Sequence, residues 1–216
     1  MRPVDDHPLA AILTDAINGA FPPADGSVRV LPRWDGPADA AIDFSNHSLI
    51  VADIEPAEVQ ANLPHRGPGA VMNAHFLSWL AHRLGTRPGV LDLVVVAFGR
   101  GGDANLIPRD DLWDHPRVVE GRRYRRNLRL YSDRDRRAVV SVGSGLVGRS
   151  EVSIEINPEH RAKGLGRQLA AEALSLVPAG EPLFAQVSAG NVASVRAFLA
   201  AGYRPICAEV GFWRPV

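Results

Sequence analysis

The order of apolar and polar positions in the first half of the chain predicts helices alternating with short strands. Leu9, Ile12, Leu13, Ala16 and Ile17 recur at helical spacing. The run LDLVVVAF is continuously apolar, which is typical of a strand covered on both faces. Together these patterns predict a helix over residues 6–20, a loop over 21–36, strands over 40–44 and 48–52, helices over 55–63 and 73–84, and a strand over 91–98.

The second half opens with a glycine-rich, polar stretch, and its pattern then becomes sharper. EVSIEI alternates as a half-buried strand does. The predicted elements are strands over 127–131, 138–142 and 151–156, a helix over 161–177, a strand over 183–187, a helix over 191–200 and two strands within 203–213. We therefore predict an α/β fold of the layered α+β kind, a mixed sheet flanked by helices. Its predicted parts are an N-terminal α/β lobe over 1–105, a connecting segment over 106–126 and a C-terminal domain over 127–216.

Composition narrows the classes of function. The 24 basic residues balance the 24 acidic residues, which argues against nucleic acid or an anionic membrane as a partner. The one cysteine, Cys207, excludes a cysteine-based zinc site, and the histidines lack metal-ligand spacing, so we expect no metal. The first residues do not resemble a secretory signal, and no apolar run reaches the roughly 18–20 residues of a membrane helix. We expect a cytoplasmic location.

The segment NPEHRAKGLGR links the strand EVSIEI to the next predicted helix. A helix N-terminus has unpaired backbone N–H groups and a partial positive charge. Gly164 and Gly166 leave room for a phosphate to approach those groups, and Arg161 and Lys163 add positive charge. The physics predicts an anion site, for a diphosphate. The alternative is ordinary turn chemistry, because the spacing matches neither a P-loop nor G-x-G-x-x-G.

Two motifs in this half resemble those of one enzyme family. Arg161-x-x-Gly164-x-Gly166 after a strand resembles the pyrophosphate motif of the GNAT N-acetyltransferases. Asn191-x-x-Ser194-x-x-x-Phe198, followed by Gly-Tyr, resembles the later helix of that family and its closing motif. The resemblance covers about residues 127–215, whereas residues 1 to about 115 resemble no family that we recognise.

The resemblance implies acetyl-CoA, or another acyl-CoA, as co-substrate. Its pantetheine arm would pair with the strand at Ile154, Glu155 and Ile156, on an edge left open by the next strand. The diphosphate would lie on the turn and first helical residues, namely Arg161, Ala162, Lys163, Gly164, Leu165, Gly166 and Arg167. Asn191 would hydrogen-bond the pantetheine, with Ser194 and Phe198 on the same helix; the alternative for Asn191 is a helix N-cap.

The implied reaction is direct attack of a primary amine on the thioester in a ternary complex. It needs a general base, for which Glu151 is preferred and Glu155 is the second candidate; the alternative is that both are solvent-facing strand residues. A strand amide near Ile154 would stabilise the oxyanion. Phe198 stands where many family members have a tyrosine that protonates the leaving thiolate, so Ser194, Tyr203 or water would have to replace it.

Several alternatives stay open at this stage. The acceptor is a small-molecule amine or a peptide amine, and the rival function is a non-catalytic acyl-CoA-binding sensor or interaction protein. The N-terminal lobe would line the acceptor site or mediate self-association as a homodimer. The basic cluster GRRYRRN, residues 121–127, indicates a solvated approach to a strand, contact with the 3′-phosphate of coenzyme A, or nucleic-acid binding, which the neutral net charge disfavours.

Overall fold

The computed structural model describes residues 7–214. Contacts group the chain into two compact units, one formed by residues up to Leu93 together with those from Ile206 onward, the other by Val94–Pro205. Compact units are not the same as independently folding domains, so the predicted division at residues 105 and 126 stays a prediction. The predicted first residue of the first helix, Asp6, and the N-terminal segment compared with a signal lie partly or wholly outside the described residues.

The first unit is a layered α/β arrangement. Its elements are α1 (Pro8–Ile17), β1 (Val28–Leu31), β2 (Ala38–Asp43), β3 (Ser48–Val51), α2 (Pro56–Asn62), α3 (Ala74–Leu84), β4 (Arg87–Pro88) and most of β11 (Arg204–Trp213). The sheet runs in the order β1-β3-β2-β11, with only the β1–β3 pair parallel, and β4 pairs with β11. Apolar side chains of α2 and α3, including Val59, Phe76 and Leu80, pack with Ile50 and Phe212 of the sheet.

Capping side chains, a proline and a glycine define ends of the helices α1 and α3. Nδ1 of His7 accepts a hydrogen bond from the backbone N–H of Leu9, and Pro8 occupies the first helical position of α1. Oδ1 of Asn73 accepts from the N–H of His75 at the start of α3. Gly85, with φ of +63°, ends α3 in the left-handed conformation that favours glycine.

The second unit contains the candidate motifs. Its elements are β5 (Asp92–Phe98), which begins just before the unit boundary, β6 (Ile107–Pro108), α4 (Pro116–Gly121), β7 (Arg126–Ser132), β8 (Ala138–Ser144), β9 (Ser150–Ile156), α5 (Leu165–Ala173), β10 (Pro182–Ser188) and α6 (Val192–Ala200). The strand order is β5-β10-β9-β8-β7-β6, with β9 and β10 parallel and β9-β8-β7-β6 antiparallel.

The two faces of β9 carry different neighbours because successive strand residues point to opposite faces. Val118 of α4 packs with Leu130 and Val139, and Val139 pairs with Glu155 of β9. The odd-numbered residues of β9 therefore lie on the face covered by α4. Ile156, on the other face, lies near the start of α5.

The structure confirms the predicted fold class, an α/β arrangement with a mixed sheet, flanking helices and additional α/β elements in the N-terminal part. The connecting segment, in which no element was predicted, contains β6 and α4. Three predicted details were wrong. The predicted loop over 21–36 contains β1. The helix over 161–177 begins only at Leu165, and the two strands within 203–213 are the single strand β11.

Three of these differences, those at β1, α4 and the start of α5, have a local cause. The strand β1 and the helix α4 have 4 and 6 residues, too few to establish a period. The N-terminal signal of α4 was nevertheless present, because Nδ1 of His115 caps it and Pro116 opens it. α5 cannot start earlier, since Gly164 before it has a φ of +79°.

Candidate active site

The strands β9 and β10 separate part-way along their length. Their parallel ladder contains the pairs Ser150–Leu183 and Glu151–Phe184 and ends there, although the strands continue to Ile156 and Ser188. On its other side β9 stays paired with β8 along its whole length. The stretch of β9 from Val152 onward thus has an edge toward β10 without ladder pairing, and Ile154, Glu155 and Ile156 are half-buried along it.

The turn after β9 presents the first residues of α5. Gly164 is the N-cap and makes no side-chain cap, so the amides of Leu165, Gly166 and Arg167 have no partner from within the helix. The preceding residues are exposed, and Ala162 has a φ of +59°. This is the geometry of an anion site at a helix N-terminus.

The two cationic side chains of the turn are held by backbone carbonyls. Nε of Arg161 donates to the carbonyl of Ile156 at 2.9 Å, and Nζ of Lys163 donates to that of Glu159 at 3.0 Å. Both side chains remain exposed, so they fix the turn and leave positive charge at its surface.

The two glycines of the motif have different roles. Gly164 provides the left-handed conformation, and a Cβ there would touch nothing within 4 Å. A Cβ on Gly166 would lie 3.4 Å from the side chains of both Ala197 and Ile156. Gly166 thus allows the end of β9, the start of α5 and α6 to come together, which brings the two sequence motifs into one place.

The helix α6 places the residues of the second motif. Oδ1 of Asn191 accepts from the N–H of Ser194 at 3.1 Å, which is the N-cap role given as the alternative for Asn191. Asn191 is exposed, and Ser194 is half-buried. Phe198 is buried and packs edge-on against Tyr203, with ring centroids 4.9 Å apart.

The hydroxyl of Tyr203 already has a hydrogen-bond partner within the protein. It donates to the carbonyl of Ala170 at 3.2 Å, and burial raises the pKa of this phenol above its usual range. Of the three substitutes for the missing tyrosine, Ser194 and water are compatible with this arrangement.

Glu151 lies in the interior, in a double ion pair. Its side chain is 1% exposed, with Oε2 at 2.6 Å from Nε of Arg125 and Oε1 at 2.8 Å from Nε of Arg149. Burial acts to raise the pKa of this carboxyl, but the positive charges of Arg149 and Arg125 prevail and hold the pKa below its usual value. A carboxylate stabilised in this way is a poor proton acceptor, so the structure argues against both the preferred role of Glu151 as base and a solvent-facing position.

The residues around Glu151 leave space for its carboxylate and hold its partner Arg149 in place. A Cβ on Gly145 would lie 2.0 Å from Oε1, so only glycine leaves the carboxylate its space. The guanidinium of Arg149 also lies over the ring of Phe184, at 5.3 Å from its centroid. The sequence offers no spacing that would have identified Arg149 as a partner of a carboxylate two residues away.

Glu155, the second candidate base, is placed differently. It is half-buried on the α4 face of β9, pairs across the sheet with Val139, and has no ion-pair partner among residues 7–214. It lies beside the stretch of β9 that is free of β10. Glu155 therefore has the exposure that Glu151 lacks, and it stays a predicted base.

Sequence reasoning gave the cluster GRRYRRN a possible contact with the 3′-phosphate of coenzyme A, but it did not predict that arginines contact β9. Within GRRYRRN, Arg122, Arg123 and Arg126 are exposed, as predicted for a solvated segment, whereas Arg125 is buried. Arg117 of α4 donates from Nε to Oγ of Ser153 at 2.7 Å. The density of arginines was visible in the sequence, but the fold decides which of them point inward.

Two features are absent from residues 7–214, the described part of the chain. No helix in that range is both long and apolar enough to cross a membrane. Within the same range, no group of three or more histidine, cysteine, aspartate or glutamate side chains is arranged to hold a metal ion.

Comparison with known protein families gives a match over the segment that contains this turn. Residues 150–212 match the sequence model of the FR47-like protein family, which is related to the GNAT enzymes. The matched segment starts with β9 and includes the turn, α5, β10 and α6. The GNAT resemblance read from the two motifs is confirmed for this part of the chain. No curated protein sequence matches significantly.

Solved structures similar to the chain include several GNAT proteins. A protein assigned to the GNAT acetyltransferases from Novosphingobium aromaticivorans aligns over 61% of this chain and 68% of its own, with 18% identity and a TM-score of 0.39. A GCN5-related N-acetyltransferase from Kribbella flavida aligns over 69% and 65%, with 14% identity and a TM-score of 0.38. A tandem GNAT protein from the clavulanic acid biosynthesis pathway aligns over 81% and 63%, with 14% identity and a TM-score of 0.41. The chain thus spans about two thirds of the length of each of these proteins.

Proposed function

Because residues 150–212 match a GNAT-related family, we propose that the chain is an acyl-CoA-dependent N-acyltransferase. It transfers acetyl from acetyl-CoA to a primary amine by direct attack in a ternary complex. The observation that carries the proposal is the end of the β9–β10 ladder after Glu151 and Phe184, beside the uncapped start of α5.

Acetyl-CoA suits both the unpaired edge of β9 and the uncapped start of α5. Pantetheine has amide groups spaced along an extended arm, which suits pairing with a strand edge at Ile154–Ile156. A diphosphate suits the free amides of Leu165–Arg167, with the charges of Arg161 and Lys163 beside them. The exposed side-chain amide of Asn191 can donate to the arm while its oxygen caps α6.

The chemistry then requires a neutral amine next to the thioester. The nitrogen lone pair attacks the carbonyl carbon, a C–N bond forms, and backbone N–H near Ile154 stabilises the oxyanion. The C–S bond breaks, and coenzyme A leaves as a thiolate that takes a proton from water or Ser194. Glu155, directly or through water, accepts the proton that the amine loses.

Donor binding is tested by calorimetry with acetyl-CoA on matched variants. Gly164→Ala and Gly164→Glu impose the same strain at a φ of +79°, and they differ by one negative charge at the helix N-terminus. We expect the glutamate variant to bind at least about tenfold more weakly than the alanine variant. Equal affinities of the two variants for acetyl-CoA would mean that the diphosphate does not bind at this turn.

Turnover is tested by release of the coenzyme A thiol over a panel of amines. Glu155→Gln is expected to lower kcat about 10²- to 10⁴-fold, the usual contribution of a general base, while acetyl-CoA binding stays unchanged. An unchanged kcat would mean that another group takes the proton.

A non-catalytic acyl-CoA sensor is the second candidate, and one observation favours it. Phe198 has no hydroxyl, and that of Tyr203 is bound to the carbonyl of Ala170, so neither supplies a proton to the thiolate. Acetyl-CoA binding without thiol release for any amine would select the sensor.

A further inference from the structure

Two arginines reach β9 at the point where β10 leaves it. Arg125, which follows α4, bonds to Glu151, and Arg117 of α4 bonds to Ser153. Glu151 and Ser153 are neighbours on the α4 face of the strand, about 7 Å apart by strand geometry. The two guanidiniums therefore act on the same short stretch of the candidate site.

The guanidinium of Arg125 is fixed, yet one of its nitrogens has no partner. Nε donates to Glu151 at 2.6 Å, Nη2 donates to Oε1 of Gln186 at 3.1 Å, and the ring of Tyr124 lies 4.7 Å away. Nη1 is buried and has no hydrogen-bond acceptor in the described part of the chain. Buried charged donors are rarely left unmatched, so an acceptor from outside the chain is expected there.

Arg117 is the second cation of this face. Its Nε donates to a neutral hydroxyl, that of Ser153, and no carboxylate of residues 7–214 forms an ion pair with it. The side chain is only partly buried, so its remaining N–H groups are available to a ligand. Arg125 thus has one unmatched donor and Arg117 has further N–H groups, and both side chains bond to residues of the same short stretch of β9.

We propose that Arg125 and Arg117 bind a carboxylate of the acceptor, so that the acceptor is an amino acid or a similar amine with a carboxylate near its amino group. This inference rests on the proposed function. A carboxylate has two planar oxygens, which suit guanidinium donors on either side. The same positive charges lower the pKa of a nearby ammonium group and favour the neutral amine that attacks.

The test uses calorimetry with products of this class, which requires neither coenzyme A nor turnover. N-acetyl amino acids are compared with the corresponding N-acetyl amino acid amides, which differ only in the carboxylate. We expect at least one N-acetyl amino acid to bind the full-length protein roughly ten- to hundredfold more tightly than its amide, the value of a charge-assisted hydrogen bond.

Variants assign that preference to the two side chains. Arg117→Gln and Arg125→Lys are expected to reduce it to near unity, whereas Arg123→Gln, which changes an exposed arginine of the same basic cluster, leaves it intact. Should Arg125→Lys unfold the protein, Arg117→Gln decides alone. Arg117 contacts the hydroxyl of Ser153 and takes no part in the ion pairs of Glu151.

The outcomes separate the two proposals. Equal affinity for acids and amides, or a preference untouched by Arg117→Gln, overturns the carboxylate site, and Nη1 of Arg125 then bonds to an ordered water. Tighter binding of inorganic phosphate than of any carboxylate also overturns it. Failure of acetyl-CoA to bind refutes the acyltransferase but leaves the acid-over-amide preference as a separate result.

Discussion

The substitution Glu151→Gln distinguishes a structural carboxylate from a catalytic one. Glutamine has nearly the same shape but no charge, and its NH2 group would face the N–H donors of Arg125 or Arg149. Removing one partner from a buried ion pair costs about 3–5 kcal/mol, because the remaining charges lose their compensation. Glu151 is 1% exposed and bonds to both arginines, at 2.6 and 2.8 Å, so we expect the loss to fall in this range.

The assay is urea unfolding followed by circular dichroism. With a slope of about 2–3 kcal/mol per molar urea, a loss of 3 kcal/mol lowers the midpoint by about 1 M or more. Glu155→Gln is the matched control, since this half-buried residue has no ion pair in the described part of the chain, and its expected effect is within about 0.5 kcal/mol.

The opposite pattern would refute this reasoning. If Glu151→Gln kept its unfolding midpoint and lost turnover, whereas Glu155→Gln kept its turnover, Glu151 would be the base after all. The ion pairs would then be weaker in solution than their distances indicate.

The remaining predictions concern acidity, the tyrosine and the close helix contact. Because its pKa is lowered in the folded state, Glu151 stabilises the protein above its unfolded pKa near 4.5 and loses this effect as the pH falls through the folded pKa. The urea midpoints of wild type and Glu151→Gln should therefore converge as the pH falls from 4.5 through the folded pKa. Tyr203→Phe should cost about 0.5–1.5 kcal/mol of stability and leave thiol release unchanged; a fall in kcat at constant acetyl-CoA affinity would make Tyr203 the proton donor. Gly166→Val should cost about 1–3 kcal/mol through overcrowding against Ala197 and Ile156, measured by thermal unfolding, and an unchanged melting temperature would show that α5 and α6 are further apart.

The features that the sequence predicted well are local ones. The alternation EVSIEI, the apolar stripe of α5 and the cap at Asn191 depend on residues close together in the chain, and each appears within a few residues of its predicted place. The candidate anion site between β9 and α5 could likewise be predicted, because the effects of its glycines and of the helix N-terminus extend over a single turn.

The features that the sequence missed depend on residues far apart in the chain. Arg125 and Glu151 are separated by 26 positions and meet only because β7, β8 and β9 are adjacent. No period in the sequence says that Glu151 faces α4 and not solvent, and the strand pattern alone favoured exposure. The same holds for Gly145, whose need for glycine comes from a carboxylate on the following strand.

The parting of β9 and β10 has a consequence for the protein without ligand. Alternate backbone amides of β9 between residues 152 and 156 face the gap, whereas the others are bonded to β8. Within one strand, neighbouring amides should therefore exchange their hydrogens with solvent at very different rates, slow toward β8 and fast toward β10. A pantetheine arm in the gap would abolish that alternation, so the exchange pattern along residues 152–156 reports occupancy of the site without any assay of chemistry.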